Sequence, residues 1–107
     1  MEEATFFECL THDFYTDRTI GLSQLEYMIK MICPIIGELK TDITEEEDST
    51  TIQFFDVHGD IRASIMTLHL DDNGVISLVQ HSFTTFSLEN KNAVLFYASL
   101  VGKNLEY

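Results

Sequence analysis

The groups in this 107-residue chain that could do chemistry are 4 histidines, 2 cysteines and a large excess of carboxylates. His12, His58, His69 and His81 could ligate a metal or move protons. No two of them are spaced i, i+3 or i, i+4, the spacing that sets two ligands on one helical face. His58 stands two residues from Asp60, which makes it the strongest of the four as a candidate functional histidine. Cys9 and Cys33 lack the C-x-x-C spacing of a redox or zinc pair and read as small, reduced hydrophobes. Ser23 and Ser87 are placed to cap helices, Ser77 and Ser82 fall in strands, and there is no G-x-S-x-G turn to present a nucleophile. The 5 glycines are isolated, so no phosphate-cradling loop is present. Asp71, Asp72, Asn73 and Gly74 match only the beginning of a calcium loop, without its later glutamate, and read as a hairpin turn. These residues name no reaction, cofactor or metal, and the expectation is a protein that is not an enzyme.

The carboxylates are more informative as a field than as catalysts. The chain carries 18 Asp and Glu against 6 Lys and Arg, a formal charge of −12. Residues 1 to 60 hold 14 acids and 3 bases, and the remaining residues hold 4 acids and 3 bases, so −11 of the total lies in the first part. Its focus is Asp42, Glu45, Glu46, Glu47 and Asp48, with Asp56 and Asp60 at the far end of the next strand and Asp13 and Asp17 on the helical side. Such a balance argues against direct nucleic-acid binding, which relies on Lys and Arg, and against docking on anionic membranes. An acidic loop can serve solubility alone. Crowded like charge also costs stability through self-repulsion, so a basic partner that neutralises it gives these nine residues a second role as a binding surface.

Elements that would position these residues can be read from periodicity. Phe7, Leu10 and Phe14 mark a short amphipathic helix between Glu3 and Tyr15. Ser23 and Glu26 are spaced as a capping box, with Leu22 and Tyr27 as its hydrophobic staple, and start a second helix at about Gln24. Its apolar face runs Leu25, Ile29, Ile32 and Ile36, Pro34 must kink or end it, and Gly37 is a stop. Twofold alternation then begins at Leu39, Thr41 and Ile43, is broken by the acidic run, and resumes over Thr51 to Val57 and Ile61 to Leu70. A three-residue connection at His58, Gly59 and Asp60 would set Asp56 opposite Arg62. The Asn73-Gly74 pair predicts a hairpin returning over Val75 to Thr85, with His81 opposite Met66 and His69 opposite Leu78. A last helix runs from Ser87 to Gly102 and is apolar nearly all round. The sum is one α+β domain over residues 1–107: two N-terminal helices, an antiparallel meander of three to four strands, and a C-terminal helix packed on the sheet.

With 45% hydrophobic residues, 8 Phe and 4 Tyr, this is a folding composition and not a disordered acidic tail. No window is long and apolar enough to span a membrane, and Met1, Glu2 and Glu3 do not open a leader pattern, so cytoplasmic residence is expected. Size, acidity and missing chemistry together point to an inhibitor of the immunity-protein kind. It would act as a monomer that binds a basic toxin, a nuclease, and occludes its nucleic-acid-binding cleft, with no small-molecule substrate. Glu45, Glu46, Glu47 and Asp48 would meet the toxin's cations, and Phe54, Phe55 or Tyr15 would anchor the contact. Two other classes share these features: a type III secretion chaperone, which works as a homodimer, and a phage-encoded mimic of DNA that blocks a host defence nuclease.

Overall fold

Alternation from residue 39 onward builds a four-stranded antiparallel sheet, and the elements around it differ from the expected helical layer. The computed structural model describes residues 17–32, 35–81, 96 and 98–107. In chain order these form β1 (Thr19–Gly21), α1 (Leu22–Ile32), β2 (Glu38–Glu45), β3 (Thr50–His58), β4 (Ile61–Leu70), β5 (Ile76–His81) and β6 (Asn104–Glu106). The main sheet has the order β2-β3-β4-β5, while β1 and β6 make a separate parallel pair. The backbone joins the two sheets, because Ile76 N–H donates to Lys103 O and Leu105 N–H to Gly74 O.

One face of the main sheet is the core. Ile52 and Phe54 of β3 lie opposite Leu68 and Met66 of β4, and all four are fully buried. Leu25, Met28 and Ile29 of α1 cover them, joined by Ile20, Leu105, Phe96 and Leu100. Ile65 and Met66 are consecutive in β4 yet both buried, which strict twofold alternation forbids. A register shift resolves this: Phe54 pairs with Met66 and Phe55 with Ser64, so Ile65 is the extra residue of a bulge. Beyond the bulge the facing of β4 is inverted, and Arg62 arrives on the outer face of the sheet.

Both tight turns differ from the expected geometry. His58 pairs with Ile61, leaving a two-residue connection with φ of +61° at Gly59, as a type II′ turn requires. Asp56 therefore stands opposite Ala63, and Val57 is the residue opposite Arg62. At the other hairpin no non-glycine residue among those described has positive φ, so Asn73-Gly74 is not a type I′ pair. Gly74 N–H donates to Asp71 O at 3.1 Å, Gly74 has φ of +79°, and Asp71 N–H donates to Val75 O: a three-residue loop. A second register shift between His69 and Leu70 compensates, so His69 still faces Leu78 and Met66 still faces His81.

The expected α+β layering is corrected by these observations. More than half of the described residues are in strands, and they contain one short helix with a few further helical positions at 96 and 98–100. Among the described residues there are not two N-terminal helices, and no C-terminal helix packs on the sheet. The helix expected between Glu3 and Tyr15 lies outside the described residues, as does most of the one expected from Ser87. Past Gly102 the chain forms strand β6, whose Asn104 N–H bonds Arg18 O beside β1. Helix α1 begins at Leu22, not Gln24, and ends at Ile32, so Ile36 lies outside it and is 79% exposed. Leu22, expected before the cap at Ser23, is itself the first helical residue and packs against the core. No helix among the described residues is long and apolar enough to cross a membrane.

Candidate functional site

The antiparallel register distributes the acidic residues over opposite ends of the sheet. Glu45 closes β2 opposite Thr50, and Glu46, Glu47 and Asp48 occupy the connection to β3. All four are exposed. The connection is tightened by Glu46 N–H donating to Ser49 O at 2.8 Å. Asp60 sits in the turn at the other end of β3, about 26 Å away at 3.3 Å of rise per residue. These groups do not form one cluster. Asp17 precedes β1, and its backbone carbonyl accepts from the Lys103 ammonium. Burial pushes that lysine below its usual pKa. Asp13 lies outside the described residues, with Tyr15, Cys9 and Cys33.

Two of the acids have structural duties instead. The carboxylate of Asp56 accepts N–H from Ile36 and from Gly37, each at 2.9 Å, and so fixes the chain between α1 and β2. Those two donors, Ile36 first, hold its carboxyl below the ordinary carboxylate range. Asp42 lies on the outer face and pairs with Arg62, whose guanidinium carbon stands 4.0 Å from the centroid of Phe55. Arg62 thus reaches over β3 from β4 to β2. Lys40 and Glu38, two residues apart on the same face, form an exposed ion pair at 3.0 Å.

The acidic tip holds a residue that sequence reasoning missed. Tyr107 donates its hydroxyl to Glu45 Oε1 at 3.0 Å, with Thr50 Oγ1 at 3.5 Å. The residue as a whole is 55% exposed, so a part-accessible tyrosine stands beside Glu45. The pairing of β6 with β1 and its backbone bonds to the β4–β5 hairpin place it there, and no local pattern encodes a contact across 62 residues. Phe54 cannot anchor a partner, because it is fully buried, and Phe55 lies under Arg62.

The described histidines do not converge, and His12 lies outside the described residues. His69 Nε2 bonds Gln80 Oε1 at 2.8 Å on the outer face, whereas His81 faces the core side opposite Met66. Asp71 turns its carboxylate inward on its own loop, accepting N–H from Asn73 and Val75. No group of three or more His, Cys, Asp or Glu among the described residues is arranged to hold a metal ion. A cleft of about 520 Å³ lies where α1 leads into β2, lined by Lys30, Ile35, Gly37, Glu38 and Leu39. Its charged side chains are one lysine and one glutamate. Compared with family models, with curated protein sequences and with solved structures, the chain finds no significant match.

Proposed function

We propose that this protein is a non-enzymatic, acidic binding protein that docks a basic partner protein through the β2–β3 tip. The observation that supports this is the pairing of four exposed carboxylates, Glu45, Glu46, Glu47 and Asp48, with the part-accessible Tyr107 hydrogen-bonded to Glu45. Charge steers the encounter and a part-exposed aromatic supplies contact area that desolvates on binding. The specific form of the proposal is an immunity-type inhibitor in the cytoplasm, bound to a basic nuclease toxin and covering its nucleic-acid cleft.

The test is capture of the partner from the native host with wild-type protein and with the Glu45→Gln, Glu46→Gln, Glu47→Gln, Asp48→Asn variant. The wild type should retain a basic protein, inhibit any nuclease activity it carries, and associate with a rate that falls steeply with salt. The variant should fold normally and lose most of that rate. Equal capture and equal rates at low salt would remove the tip from the interface, and a captured partner without nuclease activity would remove the toxin.

A further inference from the structure

Strand β2 is an edge of the main sheet: it pairs with β3 on one side and, among the described residues, with no strand on the other. An open edge of this kind is a template for another strand, and proteins blunt it with proline, bulges or brevity, by covering it, or with charged side chains, which in β2 are of both signs and so can complement a second copy. β2 has eight residues, no proline, and an unbroken register against β3. It also leaves Ile43 41% exposed at the rim of the core face.

The strand is complementary to itself. Leu39, Thr41 and Ile43 share the core face, because they lie opposite Asp56, Phe54 and Ile52, while Glu38, Lys40, Asp42 and Thr44 share the outer face. We infer that two copies of this chain join edge to edge through β2, antiparallel about a twofold axis at Thr41. In that register Lys40, which pairs with Glu38 in its own chain, meets Asp42 of the second copy together with the Arg62 that this carboxylate holds, and by symmetry Asp42 and Arg62 meet its Lys40 and Glu38. On the other face Leu39 meets Ile43 of the second copy, which covers the exposed isoleucine twice. Opposite charges directly across an antiparallel pair are favourable and like charges are not, which also selects the register. A shift of two residues sets Lys40 against Lys40 in one direction and Asp42 against Asp42 in the other. A one-residue shift sets the core face of one copy beside the outer face of the other. The result is a closed, isologous dimer with a continuous eight-stranded sheet and both acidic tips still exposed. It replaces the monomer expected from sequence and does not depend on the proposed partner.

Sedimentation of the full chain at physiological salt tests this, where a Debye length of about 8 Å screens most repulsion between the tips. Wild type should show about twice the 12.3 kDa chain mass. Lys40→Glu alone and Asp42→Lys alone each create like-charge pairs and should weaken self-association by roughly tenfold or more. Mixing the two variants restores both opposite-charge pairs, so an equimolar mixture should recover the dimer mass as a heterodimer. Circular dichroism checks that each variant is folded. A wild-type chain that stays at the monomer mass, a dimer indifferent to either substitution, or a mixture that stays monomeric would each overturn the inference.

Discussion

Asp56 and Gly37 are locked together at the start of β2: the carboxylate accepts the Gly37 N–H at 2.9 Å, and the backbone carbonyl of adjacent Val57 fills the space where a side chain on residue 37 would stand. A Cβ there would lie 2.0 Å from Val57 O, an atom that cannot move without disturbing the β2–β3 ladder. Gly37→Ala should therefore cost about 1–3 kcal/mol, the usual penalty of forced overpacking. Gly21→Ala is the control, since nothing lies within 4 Å of its added Cβ. Urea unfolding of both variants checks the contrast, and equal midpoints would mean that the close approach does not constrain the fold.

The same clasp sets an acid dependence. Because its two N–H bonds favour the ionised form, Asp56 has a folded pKa below its ordinary 3.8. A depressed carboxylate contributes stability that is present above the unfolded value and disappears as pH falls through the folded one. Asp56→Asn should thus lower the melting temperature at neutral pH, and the gap to wild type should narrow steadily below about pH 4. Melting curves of both proteins between neutral and strongly acidic pH test this, and a gap that stays constant on acidification would assign the loss to packing instead of ionisation.

How far the sequence spoke depends on the range of the interaction. Leu39, Thr41 and Ile43 alternate because one face of β2 looks at the core, and that local pattern predicts the strand directly. His69 against Leu78 is likewise encoded by the short distance to the turn, even though a loop one residue longer than expected and a compensating bulge produce it. The bulge at Ile65 leaves no mark beyond two adjacent apolar residues, which also occur in regular strands. Nothing local distinguishes β6 from a frayed helix end either, because its partner β1 lies over eighty residues earlier. The acidic site was legible as a composition and not as a surface: the tip is a local run, whereas Asp56 and Asp42 are claimed by the loop at Gly37 and by Arg62.

Arg62 reaches Asp42 only because the bulge inverts the facing of β4, so this contact reports on the bulge. Both partners are half exposed, and an exposed ion pair together with a cation–π contact is worth about 0.5–1 kcal/mol. Arg62→Ala should lose that amount, and 1 M salt should remove only the ionic part. A double-mutant cycle between Arg62→Ala and Phe55→Leu isolates the remainder; zero coupling would show that the ring and the guanidinium do not interact in solution.

Neighbouring Phe54 and Phe55 face opposite sides, and truncation should separate them. Phe54 is fully buried against Met66, so Phe54→Ala should cost about 3–5 kcal/mol. Phe55→Ala loses only its part-exposed contact with Arg62 and should cost well under half of that. Denaturant midpoints with unchanged slopes would verify the order, and a reversed order would mean that the register of β3 is shifted by one residue.

Tyr107 separates two roles at the acidic tip, the hydroxyl that orients Glu45 and the ring that a partner would cover. Tyr107→Phe removes the bonds to Glu45 and Thr50 but keeps the ring, and both groups are exposed enough that stability should change by less than about 0.5 kcal/mol. If the ring anchors the proposed partner, Tyr107→Phe should retain most of the affinity while Tyr107→Ala loses roughly tenfold or more, chiefly through faster dissociation. Charge removal at Glu46 and Glu47 should act instead on the association rate and its salt dependence. Stopped-flow association and dissociation measurements distinguish these effects. Equal dissociation rates for Tyr107→Ala and wild type would take the aromatic out of the interface and leave the carboxylates to act by steering alone.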